Sequence, residues 1–195
     1  MKLILTLIIV ALSSSALAQS DQAPLGLKWG VSQTEITALG AEFREEKEDS
    51  YGKGVVFTKL PQVIADAEIV LGSFGYNDRL YRIVIISKSF ANDPFGSSVL
   101  SRYNSLSSLL SEKYGKPSVN HRLGDSIYAE PRYFLSGVNN GRTSWYTNFK
   151  TPEIFVQLGL LAEDSSSGRW KIIYENAAIK KDFDKVKQSR EKNAL

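Results

Sequence analysis

Two series of strand-like segments, each preceded by a helix-like segment, restrict the fold of this 195-residue chain more than any other feature. Apolar and polar residues that alternate indicate strands, whereas apolar residues every three or four positions indicate helices. The first series predicts strands at residues 43–49, 55–60, 67–76 and 80–90. The second series predicts strands at residues 132–138, 142–149, 153–162 and 169–175. Short turns between consecutive strands favour antiparallel meanders.

Three helices are predicted around these two series. Ser32 and Glu35 form the pattern of a capping box, and Gly40 is a typical helix end. Asp93 is predicted to cap the second helix, with Pro94 at its first position. Its apolar stripe consists of Phe95, Val99, Tyr103, Leu106, Leu110 and Tyr114. The third helix begins near residue 177, carries Ile179, Phe183 and Val186 on one side, and is expected to fray beyond residue 186.

This order of elements predicts an α+β fold, with antiparallel β-meanders and helices packed on one face. Residues 79–84 and 169–174 are similar, and each segment begins a strand that runs toward a helix. The similarity suggests a duplicated unit of one helix and four strands, with halves at 25–92 and 93–195. A chance match between two strands is the alternative. We expect residues 19–195 to form a single α+β domain.

Residues 1–18 have the pattern of a cleavable signal peptide. Lys2 is followed by an apolar run at 3–12 and by small residues that end at Ala18. The alternative, a membrane anchor, needs about 20 apolar residues, roughly twice the length of this run. The pattern therefore predicts a periplasmic or secreted protein cleaved near Ala18. Because the chain contains no cysteine, we expect neither a lipid anchor nor disulfides.

The sequence contains no catalytic or metal-binding motif beyond those expected by chance. His121 is the only histidine, so zinc sites built on two histidines are excluded, and we interpret His121 as an ordinary hydrogen-bonding residue. The Ser-x-x-Lys matches at Ser50 and Ser189 are expected by chance in a serine-rich chain. No phosphate-binding loop occurs, and a net charge of +3 is too small to indicate nucleic acid. We predict no catalytic residue, no metal and no cofactor.

Paired carboxylates are the one form of catalysis that the sequence leaves open. Two acids far apart in a chain can flank one glycosidic bond. The available acids are Asp125, Glu130, Glu153, Glu163 and Asp164. A carboxylate-dependent hydrolase that acts on an envelope polymer is therefore an alternative function.

Aromatic residues crowd into residues 128–155 and predict a binding surface. Aromatic and arginine side chains are enriched in protein interfaces, and an antiparallel sheet often leaves one face open. The candidate binding residues are Tyr133, Trp145, Tyr146, Arg132 and Arg142. The alternative is that these aromatic side chains point into the core.

Residues 27–36, Leu-Lys-Trp-Gly-Val-Ser-Gln-Thr-Glu-Ile, resemble the W-G-x-S-x-x-E opening of many uncharacterised exported bacterial domains. The segment is also distantly similar to small outer-membrane assembly lipoproteins of the SmpA/OmlA type and to β-lactamase-inhibitor-like proteins, in which a related unit occurs in tandem. The resemblance covers about ten residues, and this chain lacks the lipidated cysteine. It implies a non-enzymatic envelope protein and assigns no functional residue.

The sequence thus predicts an exported binding or accessory protein without catalysis, acting through its sheet face. Its partner is expected to be an envelope protein or a small ligand, and no transmembrane segment is expected in the mature chain. A carrier of small ligands or lipids, which requires an enclosed apolar cavity, is a further alternative.

Overall fold

A computed structural model of the chain describes residues 21–45 and 48–195, so the predicted signal peptide lies outside the described residues. The described strands are β1 (Glu42–Glu45), β2 (Lys53–Lys59), β3 (Ala67–Phe74), β4 (Leu80–Ser87), β5 (Ser118–Arg122), β6 (Ser144–Lys150), β7 (Ile154–Ala162) and β8 (Gly168–Asn176). The described α-helices are α1 (Gln33–Ala38), α2 (Ser97–Tyr114), α3 (Phe134–Asn139) and α4 (Ala177–Ala194). Short 3-10 helices occur at Pro24–Gly26, Ser126–Ala129 and Pro131–Tyr133.

The strands form one antiparallel sheet of eight strands in the order β1-β2-β3-β4-β8-β7-β6-β5. Each series of four strands is a meander, and the two meanders join where β4 pairs with β8 at the centre. A helix precedes each meander in the chain, α1 before the first and α2 before the second. The predicted α+β fold is confirmed, and the two similar sequence segments lie at the corresponding strands β4 and β8.

One side of the sheet, here called the helix face, is covered by α1, α2 and α3. Ile36 of α1 and Val99 of α2 are fully buried in the same core cluster as Ile83 and Ile85 of β4. A Cβ on Gly168 of β8 would lie 3.0 Å from a methyl carbon of Val99, so α2 packs closely on this strand. The core therefore continues across the junction between the two meanders.

A polar contact also links the two meanders. The carboxylate of Asp66, just before β3, accepts two hydrogen bonds from the Arg102 guanidinium of α2, at 2.8 and 2.7 Å. It also accepts one from the indole N–H of Trp170 in β8, at 2.8 Å. Trp170 is fully buried. Buried donors in proteins are nearly always hydrogen-bonded, and Asp66 is the acceptor for its indole N–H.

The local start signals of α1 and α2 act largely as predicted. The Ser32 side chain accepts from the backbone N–H of Glu35, and the Glu35 carboxylate accepts from the backbone N–H of Ser32. The Asp93 carboxylate accepts from the backbone N–H groups of Ser97 and Ser98, each at 2.8 Å. However, α2 begins only at Ser97, so the prediction of Pro94 at its first position is wrong. Phe95 also precedes the helix and is 55% exposed instead of joining the apolar stripe.

The predicted strand at residues 132–138 is wrong, because this segment forms a 3-10 turn followed by α3. Phe134, Leu135 and Gly137 are buried there, a spacing that suits a helical turn as well as a strand. The fourth strand of the second meander is β5 instead. Its five residues are all exposed at the edge of the sheet, so no alternation of apolar and polar residues marks it.

Helix α4 closes the described chain at one end of the sheet. The Asn176 side chain accepts from the backbone N–H of Ile179 at 3.0 Å and so caps the first turn. Phe183 is buried and stacks on Tyr76 and Tyr81, with ring centroids 4.8 and 5.1 Å away. The helix continues to Ala194, whereas fraying was expected beyond residue 186.

Candidate functional site

The side of the sheet opposite α1, α2 and α3 is here called the open face, and of the described α-helices only α4 lies beside it, at one end. Side chains alternate between the two faces of a strand, so the strand register identifies the residues that belong to the open face. One transverse row takes a residue from every strand of the sheet. In order across the sheet, this row is Arg44, Val56, Leu71, Val84, Ile173, Gln157, Asn148 and Ser118.

The half of the open face formed by β2, β3, β4 and β8 has apolar side chains at its centre and charged side chains on either side of them. Leu71 and Ile173 are half-buried, and Val84, which lies between them in the row, is buried. In the adjacent row, Ile69 pairs with Ile86, and Ile69 is 37% exposed. Contiguous apolar side chains on a protein surface are typical of a site that binds another molecule.

The half formed by β5, β6 and β7 is polar and internally hydrogen-bonded. The Gln157 amide donates to Asn148 Oδ1 at 3.0 Å across β7 and β6. The Asn120 amide donates to the Tyr146 hydroxyl at 2.8 Å across β5 and β6. Cross-strand pairs of this kind hold their side chains in fixed positions, which makes this half of the open face a set of ordered polar groups.

The charged strand positions on the open face are mostly basic. They are Arg44, Arg82, Arg122, Lys150, Arg169 and Lys171, together with the acids Glu68 and Glu175. Arg82 Nε lies 3.1 Å from a carboxylate oxygen of Glu175. This N–H does not point at an acceptor, so the contact is an ion pair rather than an aligned hydrogen bond. Arg169 Nε lies 2.6 Å from Glu163, and its guanidinium also contacts Glu68.

Lys171 lies on β8, two residues after Arg169. Among the described residues, it takes part in no recorded ion pair or side-chain hydrogen bond. Burial lowers the pKa of its ammonium group below the ordinary value, and the positive charge of Arg82 lowers that pKa further. The centre of the open face therefore carries a half-buried positive charge without a carboxylate beside it.

At one end of the open face, α4 rises beside the sheet and forms a wall. The cleft between them has a volume of about 400 Å³. Its lining residues include Phe155 and Glu175 from the sheet and Lys180, Lys181 and Asp184 from α4. Lys180 pairs with Asp184 at 2.6 Å.

The residues predicted for binding from the sequence are divided between the two sides of the sheet. Tyr146 lies on the open face, whereas Trp145 lies on the helix face, because neighbouring residues of a strand point in opposite directions. Arg132 and Tyr133 lie together beside α3, with the guanidinium 4.8 Å from the ring centroid. Arg142 is exposed in the turn before β6. The five residues therefore do not form one continuous surface.

Trp145 belongs instead to a cluster around His121 on the helix face. The two rings stack almost in parallel, with centroids 4.0 Å apart and planes inclined by 6°. Nε2 of His121 lies 3.1 Å from the Tyr103 hydroxyl of α2, which also lies 2.6 Å from Thr147 Oγ1. Although the residue as a whole is exposed, partial burial of its ring lowers the pKa of the His121 imidazole. The neutral ring can accept a hydrogen bond from Tyr103, whereas the protonated ring cannot.

The five acids considered for hydrolysis are all exposed in loops and turns. A hydrogen bond from Ser89, followed by one from Arg169, lowers the pKa of Glu163. A hydrogen bond from the backbone of Ser166 lowers the pKa of Asp164. A general acid needs a raised pKa. The surroundings of Glu163 and Asp164 lower the pKa instead.

Within residues 21–45 and 48–195, no three or more histidine, aspartate or glutamate side chains group as metal ligands. No helix in these ranges is both long enough and apolar enough to cross a bilayer.

Comparisons with known proteins identify no relative of this chain. No family model matches the sequence, and no curated protein or solved structure is a significant match.

Proposed function

We propose that this chain is an exported, non-enzymatic protein that binds a protein partner through the open face of its sheet. The observation that carries the proposal is the apolar row Val56, Leu71, Val84 and Ile173, which crosses the centre of the sheet on the face opposite α1, α2 and α3. Export rests on the signal-like pattern of residues 1–18.

The size of the open face suits a protein partner. Eight strands spaced by about 4.8 Å make the sheet roughly 34 Å wide. The central strands have eight or nine residues, which at about 3.3 Å per residue gives a length of roughly 27 Å. The resulting area of at most about 900 Å² is close to the roughly 800 Å² that one partner contributes to a standard interface.

Two other functions have less support. A carrier would need an enclosed apolar cavity, but the space between sheet and helices is occupied by Trp170, Tyr103 and Leu158, each fully buried. A hydrolase would need a pair of acids, one of them with a raised pKa, whereas hydrogen bonds lower the pKa of Glu163 and of Asp164.

The proposal is tested by pull-down from an envelope extract of the native host, using the mature chain and two matched variants. Ile69→Glu introduces a carboxylate on the open face, whereas Leu109→Glu introduces one on the exposed surface of α2, where Leu109 is 55% exposed. We expect Ile69→Glu to lower recovery of the partner at least about tenfold, because an unpaired carboxylate would be desolvated in the interface.

We expect Leu109→Glu to recover as much partner as wild type. Circular dichroism and thermal unfolding of both variants establish that they fold. Equal recovery by wild type and folded Ile69→Glu would contradict the proposal, and so would a loss confined to Leu109→Glu.

A further inference from the structure

The charges of the open face indicate what kind of surface it fits. Its strand positions carry six basic residues, Arg44, Arg82, Arg122, Lys150, Arg169 and Lys171, against two acidic residues, Glu68 and Glu175. A second copy of the same face would bring like charges together, and like charges in an interface disfavour association. An acidic partner surface would be complementary.

Lys171 is the basic residue on the open face that is best placed to contact such a partner. Two arginines of the central strands are already paired, Arg169 of β8 with Glu163 and Arg82 of β4 with Glu175. The Lys171 ammonium is half-buried between apolar neighbours, and no carboxylate of the described chain pairs with it. A positive charge in such surroundings gains more from a carboxylate than an exposed lysine does, since water screens the pair less.

Gly159 provides space beside the ammonium. It pairs with Lys171 on one side and with Tyr146 on the other, so the three residues form one row across β8, β7 and β6. A Cβ built on Gly159 would approach no atom closer than 3.6 Å. The row therefore has a gap in its side chains, flanked by Lys171 and Tyr146 on strands that lie about 10 Å apart.

Tyr146 places a second donor at the other side of this gap. Its hydroxyl oxygen accepts from the Asn120 amide at 2.8 Å. A hydroxyl has one proton to donate in addition to its acceptor positions. Because Asn120 uses an acceptor position, the hydroxyl proton is left for another acceptor.

We propose that Lys171 and Tyr146 bind, above Gly159, a glutamate or aspartate side chain that the protein partner presents between apolar residues. The ammonium supplies the charge, the hydroxyl supplies a directed hydrogen bond, and Ile86 and Ile173 receive the flanking apolar groups. This inference rests on the proposed function and names the chemistry of the surface that the open face recognises.

The experiment uses two blocked tripeptides as probes, acetyl-Val-Glu-Val-amide and its neutral counterpart acetyl-Val-Gln-Val-amide. Each is titrated into the ¹⁵N-labelled mature chain, and the backbone amide signals of Gly159, Lys171 and Ile173 are followed by NMR. We expect the glutamate peptide to shift these signals saturably below about 10 mM, a range that suits a weak fragment of an interface. The glutamine peptide should bind about tenfold more weakly, as expected for loss of a charge-assisted contact.

Four variants separate the parts of the site. Lys171→Met should abolish the preference for the glutamate peptide, and Tyr146→Phe should weaken glutamate binding about threefold, as expected for one hydrogen bond. Gly159→Val should prevent binding of both peptides by filling the gap. Lys59→Met is the control, because Lys59 lies at the sheet edge and already pairs with Glu42 at 2.9 Å. It should leave both affinities unchanged.

Equal binding of the two peptides, absence of binding by the glutamate peptide, or an unchanged preference in Lys171→Met would overturn the carboxylate site. Failure here is distinct from failure of the proposed function. If Ile69→Glu loses the partner while the peptides do not differ, the open face binds the partner without this carboxylate. If Ile69→Glu keeps the partner, the open face is not the docking surface.

Discussion

At the scale of single residues, His121 gives the structure a specific pH dependence. Its Nε2 lies against the Tyr103 hydroxyl and its ring stacks on Trp145. Burial lowers the imidazole pKa in the folded chain below the ordinary value of 6.5. The unfolded chain therefore binds the proton first as the pH falls, and the free energy of unfolding decreases through this range.

We predict that wild type is less stable toward urea at about pH 5.5 than at about pH 7.5, because His121 is the one side chain whose ordinary pKa lies in this range. His121→Gln keeps an acceptor for Tyr103 but does not titrate, so its stability should be equal at the two pH values. The measurement is the free energy of unfolding from urea titration, followed by tryptophan fluorescence. A pH dependence that persists in His121→Gln would show that another group is responsible.

The sequence predicted residue features that depend on nearby residues and missed those that depend on strand pairing. The Ser32–Glu35 capping box was recognised because both partners lie within one helical turn. The stacking of His121 on Trp145 follows from the pairing of β5 with β6, which no local pattern reveals. The placement of Trp145 and Tyr146 on opposite faces could have been predicted, since adjacent residues of any strand point to opposite faces.

At the scale of elements, α4 is attached to the sheet through few side chains. Phe183 is its one buried residue within the described helix, and it stacks on Tyr76 and Tyr81. The rest of the helix is rich in charged residues that face solvent. Its docking therefore depends mainly on this aromatic contact, and Ile179 packed against the core, Arg190 over the Tyr76 ring and the Asn176 cap add to it.

We predict that Phe183→Ala lowers the free energy of unfolding by about 3 kcal/mol, the usual cost of truncating a buried phenylalanine. It should also expose the lysines of α4 to trypsin before the sheet unfolds. Val186→Ala is the matched control on the same helix, because Val186 is 37% exposed, and it should cost less than about 1 kcal/mol. Equal losses in the two variants would contradict the assigned role of Phe183.

The elements most visible in the sequence are those with one face buried. The long helix α2 and the central strands β4 and β8 have clear apolar patterns because each packs against the core. By contrast, β5 is exposed along its whole length, so its pattern carries no information about burial. Residues 132–138 were assigned to a strand because adjacent apolar residues in a short segment fit both a helical turn and a strand.

At the scale of the whole molecule, the two meanders form one sheet with one covered and one uncovered side. The sequence predicted the α+β class and the repeated order of helix and four strands. It could not predict that β4 and β8 become neighbours, since this pairing joins residues about ninety positions apart. That pairing aligns the apolar residues of both meanders into the row at the centre of the open face.

Site-specific photo-crosslinking in the native host tests most directly whether the open face is the docking surface. Benzoylphenylalanine is placed at Ile69 or Ile173 on the open face, and at Leu109 or Val119 on the side of the helices. These two control positions are the more exposed, at 55% and 56%, so chance collisions would favour them. The account predicts a discrete crosslinked adduct from Ile69 and Ile173 and none from Leu109 or Val119. Adducts from Leu109 or Val119, with none from the open face, would contradict it.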